Sequence, residues 1–252
     1  MDLLIVAMAS LLAGLVDSIV GGGGLVLIPA LFSVYPGAAP ATLLGTNKVA
    51  SIAGTGFAAL RYARRVSIRW RVVLPAAMAA LVGSFFGAWA VTEVDPTFLR
   101  RALPFILLGV LLYTLAKKDL GRVGALRHSL RVEIAIACVI GVAIGIYDGF
   151  FGPGTGSFFI FLFVRFLGYD FLNASAAAKV LNIATGAAAI VLFAFKGYIW
   201  WRVGFVLALA NVLGSLIGTQ LALKRGAGFV RVVFIVVVGA LILKTGWDAL
   251  PK

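Results

Sequence analysis

Residues 14–24 read GLVDSIVGGGG, and residues 145–155 read GIYDGFFGPGT. Each stretch is an apolar run with one aspartate, stopped by clustered glycines. An offset of 131 carries the first onto the second: Gly14, Asp17, Gly21 and Gly23 fall on Gly145, Asp148, Gly152 and Gly154. The same offset carries Lys48-Val49 onto Lys179-Val180, Ile68 and Trp70 onto Ile199 and Trp201, Gly83-Ser84 and Gly87 onto Gly214-Ser215 and Gly218, and Arg100 onto Arg231. Glycine pairs recur by chance in so glycine-rich a chain; aspartate, lysine and tryptophan pairs do so far less. The chain reads as one unit written twice. The halves are expected at 1–118 and 132–252, joined by a basic cytoplasmic linker at 119–131.

The surroundings of these stretches set the class. Of 252 residues, 62% are hydrophobic and only 12% charged, with a mean hydropathy of +1.10. Soluble domains carry roughly a quarter charged residues. This composition excludes a cytosolic enzyme, a disordered chain and a nucleic-acid binder, and implies an all-α polytopic membrane protein. The net charge of +13 comes from 22 basic against 9 acidic residues. More than half of the basic residues fall in three clusters: Arg61 to Arg71, Lys117 to Arg131, and Lys224 to Arg231. Runs 72–92, 102–116, 203–223 and 232–243 between them hold no charge. Basic clusters between apolar runs mark cytoplasmic loops. Cys138, the sole cysteine, sits in an apolar run and reads as a small buried hydrophobe; His128 sits in a basic loop. One histidine leaves no His-based metal site, and no cofactor is expected. Leu3 to Val20 has no basic n-region before it and reads as part of the fold, not a signal peptide.

Each half divides into five apolar segments: 3–20, 25–35, 41–60, 71–92 and 97–116, then 134–150, 156–167, 172–195, 202–223 and 230–248. A full crossing needs about 20 residues, so the second segment of each half is short, and each follows a glycine break. Short, interrupted segments at matching places in two halves point to a transporter binding site. The loop charges place 61–71 and 119–131 in the cytoplasm and 93–101 outside, with 224–231 back in the cytoplasm. That pattern predicts halves inserted in opposite orientation, an inverted repeat; parallel halves with four crossings each are the alternative.

Asp17 and Lys48 are the only charges in 3–60, Asp148 is the only charge in 134–164, and Lys179 sits inside the third apolar segment of its half. Such residues are costly in a bilayer unless paired or wetted, which makes them functional candidates. A purely structural role would be an Asp–Lys pair that pins each half together; the same pair can also act as a proton switch. The breaks at Gly21, Gly22, Gly23 and Gly24, and at Gly152 and Gly154, lack the Gly-Lys-Ser/Thr of a nucleotide loop. They suit an unwound turn whose free N–H groups, at a helix start, face an anion. Thr155 and Ser157 add hydroxyls that can cap the following helix. Asn47 and Asn182 add amides. With Lys48 and Lys179 these make a candidate anion site, and Asp17 and Asp148 are its candidate proton-coupling or ion-pair residues. Gly83 with Gly87 and Gly214 with Gly218 read as helix-packing faces.

The run Gly14 to Gly24, with Pro29 beyond it and Gly45-Thr46-Asn47-Lys48 after it, resembles the TauE/SafE (sulfite exporter) family of membrane transporters. The run Tyr147 to Gly156 is similar to that family's second signature. The resemblance covers essentially the whole chain. It implies secondary transport, often outward, of sulfur-containing or organic anions such as sulfite, sulfonates or sulfoacetate, by a multi-pass protein of a bacterial-type inner membrane. The expected partners are a small anion, protons and the bilayer, with no nucleic acid; a homodimer stays open. Thr46-Asn47 in the first half is Ala177-Ala178 in the second, so the half-sites are not equivalent. An anion channel would share these features. A membrane-embedded enzyme would need a nucleophile–base pair or metal cluster that one histidine and one cysteine scarcely supply.

Overall fold

The computed structural model describes residues 1–95 and 129–248. The expected fifth segment of the first half, 97–116, and all but the last residues of the linker at 119–131 lie outside them. Every element among the described residues is a helix: α1 (Asp2–Val20), α2 (Gly24–Val34), α3 (Pro40–Ala63), α4 (Trp70–Glu93), α5 (Leu130–Phe150), α6 (Thr155–Leu162), α7 (Phe171–Phe195) and α8 (Trp201–Asp248). Five of them are long and apolar enough to cross a membrane: α1, α4, α5, α7 and the part of α8 from Trp201 to Gly226. The protein is a multi-pass, all-α membrane protein.

Local chemistry sets the helix ends. Gly21 ends α1 with φ 76°, its N–H donating to Asp17 O at 2.8 Å. That left-handed conformation is open to glycine at little cost. Gly152 (φ 89°) and Gly154 (φ 77°) do the same between α5 and α6. Pro40 opens α3, where its missing N–H costs nothing. Asp170 caps α7, accepting from Leu172 N and Asn173 N at 2.9 Å each. α6 continues through a π-helical turn, Phe163–Leu167, which Gly168 (φ 77°) ends. The turn expected at 224–231 is smaller than predicted. Helix continues on both sides of one non-helical residue, Gly226 (φ 73°), so the fourth and fifth segments of the second half join across a kink.

α2, α3 and α4 start at residues 24, 40 and 70, and α6, α7 and α8 start 131 residues later, at 155, 171 and 201. Packing follows the same offset but crosses the halves: α1 lies on α8, and α4 lies on α5. Gly14 abuts the Asn211 carbonyl while Gly145 abuts that of Ala80; Gly83 abuts Val142 while Gly214 abuts Leu11. Gly87 against Ile146 and Gly218 against Leu15 complete the set. A methyl group at any of these six would overlap a neighbouring backbone, so glycine here sets the distance between helices. α1 and α8 run parallel, residue 10 meeting 207 and 14 meeting 211. α3 and α7, counterparts at the common offset, run antiparallel: Gly45 packs on Phe193 and Gly186 on Ile52.

Polarity is arranged inside out. Large apolar side chains face outward, among them Leu74, Met78, Phe86 and Trp89 on α4 and Phe205, Leu209 and Leu213 on α8. Ser10, Thr46, Asn47, Lys48, Ser84, Asp148 and Lys179 are buried. In a bilayer the outer face meets hydrocarbon, and polar groups are satisfied only against other helices. α3 is as long as a span, yet its buried side carries Thr42, Thr46, Asn47, Lys48 and Thr55. That polar side lines the site.

Candidate functional site

The two glycine breaks meet at the centre of the molecule. Ser157 N donates to Gly21 O at 3.1 Å, and Ser157 Oγ donates to Val20 O at 2.8 Å. A Cβ on either Gly21 or Gly156 would collide with the other residue's backbone. The end of α1 is thus stitched to the start of α6. Beside this junction lies a small cavity of about 30 Å³, lined by Asp17, Gly21, Gly24, Asn47, Lys48, Ser51, Thr55, Asp148, Gly152, Thr155, Gly156, Asn182 and Gly186. That is room for about two water molecules.

Lys48 Nζ lies 2.7 Å from Asp148 Oδ2, and each residue is only 5% exposed. The expected pairing within each half is therefore corrected: Lys48 of the first half pairs with the aspartate of the second. Two contacts of α1 explain the choice. The carboxylate of Asp17 is already engaged, accepting from Thr55 Oγ1 at 2.8 Å and from Gly23 N at 3.3 Å. Gly186 stands where the offset from Thr55 falls, so Asp148 has no such hydroxyl and is free for Lys48. Lys179, the counterpart of Lys48, forms no ion pair among the described residues. Its ammonium donates to Ser175 Oγ at 3.0 Å and Asp17 O at 3.4 Å, and sits 4.6 Å from the centre of the Tyr62 ring.

The candidate residues separate into two groups. Asp17, Gly21, Gly24, Asn47, Lys48, Asp148, Gly152, Thr155 and Asn182 line the cavity, whereas Gly22, Gly23, Gly154, Ser157 and Lys179 stand behind its wall. Ser157 is spent on the stitch to Val20. Thr155 Oγ1 donates back to Gly152 O at 2.8 Å, so neither hydroxyl caps α6, whose N-cap is Gly154. Polar groups face the same small space. Asn47 is 4% exposed and lines the cavity. Asn182 Oδ1 is buried without a partner among the described residues. Among the described residues, the N–H groups of Gly24 and Gly156, in the first turns of α2 and α6, donate to no backbone carbonyl outside their helices. Buried polar atoms are normally bonded, so this cluster is where a polar ligand gains most.

Matched against known families, residues 6–245 fit the model of the sulfite exporter TauE/SafE family. The chain belongs to that family. It is 37% identical over 236 residues to a probable membrane transporter protein, ORF9, of Sinorhizobium sp, an alignment covering 94% of this chain and 89% of the relative. It is 34% identical over 240 residues to the probable membrane transporter protein YfcA of Escherichia coli K12, with 95% and 88% covered. A probable membrane transporter protein of Haemophilus influenzae is 33% identical over 236 residues, with 94% and 91% covered. These relatives of the TauE/SafE type are described as transporters, with no cargo specified.

Within this family member, sequence reasoning missed four wall residues: Ser51, Thr55, Gly156 and Gly186. A signal for two of them was present. Asn47, Ser51 and Thr55 recur every four residues, a polar stripe along α3 in a chain with few polar residues. A second cavity, of about 250 Å³, lies between segments 67–69 and 168–173 and is lined by none of the candidate residues. Its wall holds a separate ion pair. Glu133, 2% exposed, accepts from Arg69 Nη2 and from the Tyr169 hydroxyl, both at 2.8 Å. Burial, then the hydrogen bond to Glu133, raise the pKa of the Tyr169 hydroxyl above the usual tyrosine value.

Proposed function

We propose that this protein is a secondary transporter of small anions in a bacterial inner membrane, working by alternating access with a proton as the coupling ion. The observation that carries the reading is the buried Lys48–Asp148 pair on the wall of a cavity that both glycine breaks line. With every side chain ionised, one ammonium faces two carboxylates there, Asp17 and Asp148. An anion is then repelled. Protonation of Asp148 cancels one charge and releases Lys48 to a ligand, so a proton and an anion bind together. Asn47 and the N–H groups of Gly24 and Gly156 supply neutral donors.

Geometry favours movement between the halves. A cavity of about 30 Å³ is too small for an oxyanion and its contacts, so loading requires the walls to separate. Lys48 and Asp148 belong to different repeats, and their bond is a latch that proton and anion binding together would open. The antiparallel run of α3 against α7 supports a two-fold repeat inserted in opposite orientations, the arrangement that lets one half rock against the other. For the cargo, the family resemblance supports sulfite, sulfonates or sulfoacetate.

Flux in proteoliposomes tests this. Uptake of labelled sulfite, taurine-type sulfonate or sulfoacetate should rise when an inward proton gradient is imposed and fall when it is collapsed. Flux indifferent to that gradient would remove the proton from the mechanism. A melting temperature unmoved by any of these anions, sulfate or small carboxylates would remove the anion site, since a ligand that binds only the folded state must stabilise it.

A further inference from the structure

At the C-terminal end of α3, where it lies beside α8, an open cavity of about 580 Å³ is lined by Arg61, Arg64, Arg65, Gln220, Leu223 and Lys224. Four cations and no acid border it. Arg61 Nη1 reaches the Leu216 carbonyl at 3.5 Å; none of the four has a carboxylate within ion-pair distance among the described residues. Both helices turn from apolar to polar along one stripe as they arrive. On α3 the stripe is Phe57, Leu60, Arg61, Arg64; on α8 it is Leu213, Ile217, Gln220, Lys224. Measured from Phe57 and from Leu213, spacings of three, four, seven and eleven residues keep one helix face. Phe57, Leu60, Leu213 and Ile217 are each about half exposed, at 49%, 63%, 55% and 50%.

The repeat supplies an internal control. Offset by 131, Arg64, Arg65 and Lys224 correspond to Phe195, Lys196 and Glu93. There the single lysine is consumed: Lys196 Nζ lies 2.6 Å from Glu93 Oε1 and 2.7 Å from Thr92 Oγ1. The fold therefore does not need a basic pocket at this junction. One end of the molecule neutralises its cation, and the other gathers four and leaves them open.

We propose that the Arg61–Arg64–Arg65–Lys224 pocket binds the phosphate headgroup of an anionic phospholipid, whose acyl chains lie along the exposed Phe57–Leu60 and Leu213–Ile217 stripes. Arginine guanidinium groups suit phosphate oxygens geometrically, and basic pockets between membrane helices hold such headgroups. A free anion would use the cations but not the stripes; a lipid uses both. The inference is independent of the central cavity and of what that cavity carries.

The test uses the full chain in neutral detergent, titrated with phosphatidylglycerol, phosphatidylcholine, inorganic phosphate or glycerol 3-phosphate, with melting temperature and retained lipid as readouts. Phosphatidylglycerol should stabilise the protein and stay bound through washing, whereas the other three should not at millimolar levels. Arg64→Gln, Arg65→Gln and Lys224→Gln together should weaken that binding at least about tenfold while leaving the lipid-free melting temperature within a few degrees. Arg71→Gln, Arg131→Gln and Arg202→Gln remove as much charge elsewhere and should leave it unchanged. Equal weakening by both sets would mean diffuse attraction and overturn the proposal. Protection by inorganic phosphate matching that of the lipid would overturn it too, as would unchanged lipid binding in the first set. If the first set lowers the lipid-free melting temperature, Leu60→Ser with Ile217→Ser tests the acyl stripe alone and should weaken phosphatidylglycerol binding; unchanged binding there overturns it.

Discussion

Lys48 and Lys179 occupy the same place in the two repeats and have opposite circumstances. Lys48 is held by a carboxylate at 2.7 Å and borders the cavity. Lys179, 1% exposed, is held by a hydroxyl, a carbonyl and an aromatic face, behind the wall. Three differences between the repeats account for this. Thr55 occupies the Asp17 carboxylate, while its counterpart Gly186 leaves Asp148 free. Ser175 gives Lys179 an acceptor, while its counterpart Leu44 gives Lys48 none. Tyr62, whose ring meets Lys179, anchors its hydroxyl on Ser18 O at 3.1 Å, while its counterpart Phe193 has a ring but no hydroxyl to fix it. A duplicated unit thus yields one charge pair that borders the cavity and one cation held behind its wall.

That contrast can be broken most sharply at the lysines. Lys48→Ala strands Asp148 without its partner, and loss of one member of a buried pair costs about 3–5 kcal/mol. Anion-induced stabilisation should vanish and flux should fall to background. Lys179→Ala leaves Asp17 with Thr55 and Gly23, so it should retain measurable flux. Equal loss in both variants, read by proteoliposome uptake, would erase the distinction.

The aspartates come next. Asp148→Asn should uncouple uptake from the proton gradient while anion binding persists, because the neutral amide mimics the protonated acid. Asp17→Asn should stay gradient-sensitive. A gradient response surviving Asp148→Asn would move the proton elsewhere.

Smaller effects sharpen the account. Thr55→Val removes a hydrogen bond to a charged group, worth about 1.5–3 kcal/mol, and frees Asp17 to compete for Lys179. Thermal unfolding should register the loss. Ser175→Ala should cost least, about 1 kcal/mol, with transport nearly intact. A collapse of transport in Ser175→Ala would show that Lys179 is no static anchor.

Much of this was legible from the residues because the bilayer constrains them strongly. Among the described residues, apolar run lengths located the helices to within a few residues, and the glycines at 21–24 and 152–154 marked real breaks, since positive φ at Gly21, Gly152 and Gly154 favours glycine. The offset of 131 forecast where α6, α7 and α8 begin. The single-residue kink at Gly226 was misjudged as a loop, because Lys224, Arg225 and Arg231 suggest a loop by charge alone and helix continuity depends on backbone geometry. Ser157 reads as a ligand donor in sequence but serves as a stitch, because its partner Val20 lies in the other repeat.

The amino-acid sequence by itself determined the membrane class, the described helical segments, the repeat and the buried charges Lys48, Asp148 and Lys179, though not the buried Glu133. These follow from composition and local periodicity, which the solvent reads one residue at a time. The tertiary structure alone decided which aspartate meets which lysine. Helices from opposite halves cross at glycine contacts, so the nearest partner of Lys48 is about a hundred residues away. Which of two similar pairs closes is then settled by one hydroxyl on Thr55 and its absence at Gly186.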